Sequence, residues 1–152
     1  MKRKILLRSA RETKMFAKRF AANILTHANR RKGAVVIGLV GDLGAGKTTF
    51  VQGFGKAFGV KQRMVSPTFL IFRSYKLQVT SYKFARLYHV DLYRIHSPRE
   101  LETLNFRHIL RDPKNIVLIE WADRIKKTLP KGTIWVTLGH RRKEHERFAS
   151  IR

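Results

Sequence analysis

The stretch Val35-Val-Ile-Gly-Leu-Val-Gly-Asp-Leu-Gly-Ala-Gly-Lys-Thr48 decides the fold, because it runs an apolar segment directly into the pattern G-x-x-x-x-G-K-[ST]. Val35 to Val40 reads as a buried parallel strand, and Lys47 to Phe58 reads as a helix stopped by Gly59. The pattern therefore has the strand before it and the helix after it that a phosphate-binding loop requires. In such a loop the backbone N–H groups turn inward around the phosphates, Lys47 reaches the β- and γ-oxygens, and the Thr48 hydroxyl can ligate Mg²⁺. Glycine is needed where the loop bends through conformations that a Cβ obstructs. With glycine at about 7% of ordinary usage, chance supplies this pattern in roughly one chain of this length in a hundred or fewer.

Working outward, two further apolar runs end in acids. Leu87-Tyr-His-Val-Asp91 and Asn115-Ile-Val-Leu-Ile-Glu120 both read as strands, and acids are scarce, only 10 among 152 residues. In open α/β sheets ligands bind beyond the carboxyl ends of the strands, so the loop, Asp91 and Glu120 are expected to share one crevice. A nucleoside triphosphate with Mg²⁺ needs an acid to hold the metal and a polar group to position attacking water. Asp91 and Glu120 are the candidates, and the sequence does not say which does which. The plainer reading of each is a strand-end charge or a helix cap. Asp42 lies inside the loop itself. His89, two before Asp91, faces the same side of an extended strand, and either orients that acid or is a core histidine. Trp121 either packs over a nucleotide or fills the sheet edge. Ser66 and Thr68 bear hydroxyls that could order a segment around a γ-phosphate.

The remaining elements follow from local signals. Lys4 to Leu7 reads as a short strand. Ser9-Ala-Arg-Glu12 is a capping-box pattern opening a helix, with Phe16, Ala17, Phe20, Ala21, Ile24, Leu25 and Ala28 as its core stripe, closed by Arg30 to Gly33. After Ser66-Pro-Thr68, the run Phe69 to Phe72 reads as strand, with Pro67 arguing for a bend or edge position. Alternation over Lys76 to Arg86 predicts a hairpin. Ser97-Pro-Arg-Glu100 begins a short helix, and Trp135 to Leu138 is the last clear strand. Together these predict an α/β three-layer P-loop NTPase fold, a largely parallel sheet with hairpin additions, in one domain spanning 1–152.

Size and charge set the outer limits. No apolar stretch approaches a membrane span, and Met1-Lys-Arg-Lys4 precedes only Ile5-Leu-Leu7, too short for a signal peptide's apolar region. A cytoplasmic location without membrane partners is expected. With no cysteine, disulfides and zinc–thiolate sites are excluded. The 33 Lys and Arg against 10 Asp and Glu give a net charge of +23, a field that attracts polyanions. Bases concentrate at Lys2 to Arg19, Arg30 to Lys32 and Arg141 to Lys143, without the aromatic interleaving typical of a single-strand stacking platform. Both a nucleic-acid partner and a generally basic composition fit that charge.

Four segments in order and spacing, Gly41-Asp-Leu-Gly-Ala-Gly-Lys-Thr-Thr-Phe50, Ser66-Pro-Thr-Phe69, Tyr88-His-Val-Asp-Leu-Tyr-Arg94 and Ile119-Glu-Trp121, resemble the TsaE (YjeE) family. This is the small ATPase of bacterial tRNA threonylcarbamoyladenosine synthesis. The resemblance implies ATP and Mg²⁺ as cofactors and the TsaB–TsaD complex as partner, with tRNA reached through that complex or by direct electrostatic contact. Hydrolysis would support turnover of the complex, which itself transfers threonylcarbamoyl to the adenosine beside the anticodon. By the same resemblance the loop residues Gly41, Asp42, Leu43, Gly44, Ala45, Gly46, Lys47, Thr48 and Thr49 take the nucleotide. Thr48 and Glu120 hold the metal, Asp91 has a metal-linked or water-activating role, Ser66 to Thr68 form a switch-like loop, and Thr13 lies toward the base. The chain departs from the family in its basicity and in Arg141 to Arg152, which reads as a short charged tail.

Two rival readings remain at the level of sequence. A small nucleotide or polynucleotide kinase would also pair a phosphate loop with basic residues, with Arg141-Arg142 as a lid. A basic RNA-binding module could keep the nucleotide site for structure alone. A GTPase fits less well, because no N-K-x-D element or D-x-x-G element accompanies the loop.

Overall fold

In the computed structural model, which describes residues 4–27, 31–78 and 83–152, the elements in chain order are β1 (Ile5–Leu7), α1 (Ala10–His27), β2 (Val35–Val40), α2 (Lys47–Ala57), β3 (Phe72–Lys76), β4 (Arg86–Asp91), α3 (Phe106–Arg111), β5 (Asn115–Glu120), β6 (Ile134–His140) and β7 (Arg147–Ile151). Two 3₁₀ helices, Pro98–Leu104 and Ala122–Thr128, flank α3 and β5. Strands β2 and β5 are buried almost throughout, as strands covered on both faces must be. The seven strands form one sheet in the order β1-β7-β6-β2-β5-β4-β3. Its centre, β6-β2-β5-β4, is parallel, and β3, β7 and β1 add antiparallel edges. This is the α/β three-layer arrangement expected from the sequence.

Period-two alternation divides the strand residues between two cores. Val35, Ile37, Leu39, Leu118 and Leu138 face α1 and α2, while Val36, Val90, Val117 and Ile119 face the 3₁₀ helices and α3. The stripe of α1 buries Ala17, Phe20, Ala21 and Ile24, with Phe16 and Leu25 packed beside them. On α2, Phe50, Phe54 and Phe58 recur at helical spacing and stack, with ring centroids 6.2 and 5.0 Å apart. Truncating one such fully buried ring to alanine costs about 3–5 kcal/mol. Ala28 and Arg30, in the expected end of the first helix, lie outside the described residues.

Three expectations are corrected. The run Phe69 to Phe72 is not strand until Phe72: Leu70 N–H donates to Pro67 C=O at 2.9 Å, and Ile71 takes φ 65°. Phe69 and Leu70 are 82% and 59% exposed, with no neighbouring strand to cover them. The hairpin expected within Lys76 to Arg86 has its arms at β3 and β4, which meet that span only at its two ends, with Phe72 opposite Val90 and Lys76 opposite Arg86. Residues 77–85 are its connection, and 79–82 lie outside the described residues. Finally, Arg141 to Arg152 is not a charged tail, because its second half is β7, inserted between β6 and β1 with Ala149 and Ser150 buried.

Candidate functional site

The phosphate loop leaves β2 at Gly41 and enters α2 through Gly44 and Gly46, which have φ 75° and 100°, values that favour glycine. A Cβ at Gly41 would collide with the Leu138 carbonyl oxygen on β6. Gly46 caps α2 without a side-chain hydrogen bond, so the first N–H groups of the helix face the loop's concavity and suit an anion.

Lys47 is buried and donates to the carbonyls of Gly41 and Asp42, at 2.6 and 2.8 Å. Its ammonium lies 4.0 Å from the centre of the Trp121 ring. Burial lowers the Lys47 pKa from the usual 10.5, against the opposing pull of Glu120, Asp91, Asp42 and Asp123. A cation held at such a cost, satisfied only by loop carbonyls, suits a site that receives negative charge.

The register of the parallel sheet places Asp91 of β4 beside Glu120 of β5. Thr48 Oγ1 donates to Glu120 Oε1 and Oε2 at 3.0 and 3.3 Å. His89 Nε2 meets Glu120 Oε1 at 2.7 Å, whereas its buried Nδ1 has no partner. A proton on Nδ1 would be buried without an acceptor, so the ring proton sits on Nε2 and is donated to Glu120. His89 therefore orients Glu120 and not Asp91, the acid on its own strand. Asp91 is held by Ser66, Thr68 and Tyr93: Thr68 Oγ1 donates at 2.9 Å, Ser66 Oγ also donates, and Tyr93 N–H reaches its other oxygen at 2.8 Å.

A cleft of about 380 Å³ joins Leu43, Gly44, Gly46, Lys47, Thr48 and Thr49 with Ser66, Thr68, Asp91, Tyr93, Glu120 and Trp121. Trp121, at φ 59° just after β5, turns into this cleft against Tyr93, with ring centroids 5.3 Å apart. Ala45 is fully buried beneath the loop, and Asp42 is exposed on it. On the loop's other flank a second cleft, of about 550 Å³, is lined by Arg8, Ser9, Ala10, Thr13, Gly44, Gly46, Thr49, His145 and Arg147. Thr13 lies there, its hydroxyl donating to Ser9 C=O at 3.3 Å.

Residues that sequence reasoning missed come from the β6–β7 hairpin. His140 Nε2 donates to Leu43 C=O at 3.1 Å, and Arg147 Nε donates to Gly44 C=O at 3.2 Å. No motif carries them, and only the unforeseen strand β7 brings Arg147 to the loop. Arg141 and Arg142, the lid that the kinase reading needs, line a separate cleft and not the one holding Lys47.

The donors around Thr48 are oxygens, a hydroxyl and two carboxylates, which suits Mg²⁺ better than softer metals. Among the described residues no group of three or more His, Asp or Glu side chains could hold a metal by itself. That composition fits a magnesium site completed by phosphate oxygens and water.

A parallel sheet carrying this loop between β2 and α2, with acids at the ends of β5 and β4, the next two strands on one side of β2, defines a P-loop NTPase-like protein. The profile of the family described as "Threonylcarbamoyl adenosine biosynthesis protein TsaE" matches residues 7–148. A Rickettsia prowazekii protein named tRNA threonylcarbamoyladenosine biosynthesis protein TsaE is 42% identical over 133 residues, 87% of this chain and 83% of its own length. The Bacillus subtilis protein of that name is 37% identical over 127 residues, 84% of this chain and 71% of its own. The crystal structure of Bacillus subtilis YdiB superposes with a TM-score of 0.65 at 31% identity, covering 99% of this chain and 86% of that one. The chain belongs to the TsaE family, which acts in tRNA threonylcarbamoyladenosine biosynthesis.

Proposed function

We propose that this chain is a Mg²⁺-dependent ATPase that works in the cytoplasm on a TsaB–TsaD complex and supports threonylcarbamoyl transfer to the tRNA adenosine beside the anticodon. The observation that carries the reading is the convergence of Lys47, Thr48, Asp91 and Glu120 on one cleft at the mouth of the loop. The loop amides and Lys47 bind the phosphates, the lysine exchanging the Gly41 and Asp42 carbonyls for phosphate oxygens. Thr48 and Glu120, already in contact, would hold Mg²⁺. When bound, the metal neutralises charge on the β- and γ-phosphates. Asp91, fixed by Ser66 and Thr68, orients water, and these hydroxyls tie the switch-like segment to the same acid. Trp121 and Tyr93 cover the cleft and exclude bulk water from Lys47. Thr13, across the loop, lines the cleft on the side assigned to the base.

Nucleotide binding with and without Mg²⁺, followed by Trp121 fluorescence, tests this assignment. ATP should bind more tightly with Mg²⁺, Lys47→Ala should lose binding, and Glu120→Gln should lose the Mg²⁺-dependent part alone. Equal binding by wild type and Lys47→Ala would refute it, and phosphate appearing on a nucleotide or RNA acceptor would replace it with a kinase.

A further inference from the structure

A cleft of about 540 Å³, lined by Lys4, Leu6, His140, Arg141, Arg142 and Phe148, lies where β1 approaches the β6–β7 turn. The Phe148 ring packs so closely on Gly139 that a Cβ there would strike it, and the Lys4 ammonium sits 4.7 Å from the ring centre. No acid lines the cleft, although Glu144 and Glu146 are close in sequence. Among the described residues the only Lys or Arg side chains that pair with a carboxylate are Arg107 and Lys143. Lys4, Arg141 and Arg142 are thus uncompensated cations in a concave site, within a chain of net charge +23.

We infer that this cleft docks the phosphate backbone of a folded RNA directly on this chain. Two adjacent guanidinium groups can each take phosphate oxygens in bidentate fashion, and Lys4 adds a third cation from another strand. Phe148, partly buried against Gly139 and with the Lys4 ammonium over its ring, forms an apolar wall that holds the lysine in place. A folded RNA fits this arrangement better than an acidic protein, because its backbone carries an unbroken, closely spaced row of phosphates to match the clustered cations. The hairpin forming the cleft also touches the phosphate loop, through His140 on Leu43 and Arg147 on Gly44. Bound RNA would therefore rest one side chain away from the nucleotide site.

The test is anisotropy of labelled tRNA titrated with the full chain over a series of salt concentrations. Arg141→Glu/Arg142→Glu is compared with Lys126→Glu/Lys127→Glu, an exposed pair whose reversal changes net charge equally. Reversal at the cleft should weaken binding about tenfold or more and reduce the salt slope by about two, roughly one for each phosphate that is no longer neutralised. The control pair should change affinity less than about threefold by comparison. Equal losses in both variants would reduce the cleft to diffuse charge and overturn the proposal. Competition by polyglutamate as effective as polyuridylate of equal charge would also overturn it, in favour of an acidic protein. If the Glu pair does not fold, Arg141→Gln/Arg142→Gln must show the same site preference. ATP binding without RNA should be unchanged in all these variants, which separates this inference from the nucleotide assignment.

Discussion

Lys47 is placed where its charge costs stability and its chemistry needs it. Its pKa is lowered in the fold, so the charged form is penalised; stability from this residue is lowest below the folded pKa and rises with pH toward 10.5. Lys47→Met should therefore keep or raise the melting temperature at neutral pH while abolishing nucleotide binding, and calorimetry beside a binding titration checks both. A lower melting temperature would mean that attraction to Glu120 and Asp91 outweighs burial. His89 makes a second prediction at this scale. His89→Leu removes the donor to Glu120 and should cut the Mg²⁺-dependent gain in nucleotide affinity about tenfold or more, leaving Mg²⁺-free binding unchanged. His89→Gln, which keeps an N–H donor, should recover part of that gain; equal loss of both affinities would make His89 a core residue only. The sequence marked Lys47, Thr48, Asp91 and Glu120 through a motif and scarce acids, and the fold brings all four to one cleft. The sequence did not show which acid His89 serves, since that depends on strand register: Glu120 stands beside Asp91, diagonal to His89.

Between elements, α1 and α2 approach closely at Gly53. A Cβ at Gly53 would lie 2.5 Å from the Lys14 carbonyl oxygen and 2.6 Å from its Cα. Backbone atoms cannot move aside as a side chain tip does, so Gly53→Ala should separate the helices and destabilise the fold by about 1–3 kcal/mol. Denaturant unfolding measures this, and a loss below about 0.5 kcal/mol would show that the packing there relaxes freely. The elements legible in the sequence are those with strong local signals. Ser97 accepts from Arg99 N–H at 3.4 Å, and Glu100 accepts from Ser97 N–H at 2.9 Å, so the expected cap has both halves. At the first helix only half of the box forms, because Glu12 instead takes the Arg8 N–H at 2.7 Å. Strand β7 was hidden because its five residues, only three of them apolar, follow a charged turn. The late start of β3 was hidden because Phe69 and Leu70 have strand composition but no partner strand, and Ile71 takes a left-handed φ of 65°.

The whole molecule carries +23, few ion pairs occur among the described residues, and that charge opposes its own compaction. Raising salt from a few millimolar to physiological strength should therefore increase the melting temperature as the screening length shortens to about 8 Å. A melting temperature independent of salt would mean that the surface charges are too dispersed to matter. Among the described residues no helix is long and apolar enough to cross a membrane. At this scale the sheet order brings the loop, β4 and β5 together at the carboxyl ends of the parallel strands, in a chain whose family acts in tRNA threonylcarbamoyladenosine biosynthesis. The most direct test of the proposed role is ATP hydrolysis by the purified chain with Mg²⁺, alone and with a TsaB–TsaD complex plus tRNA, using Lys47→Ala as control. Hydrolysis stimulated by the complex and abolished in Lys47→Ala is the predicted result. Hydrolysis that ignores the complex, or survives in Lys47→Ala, would contradict it.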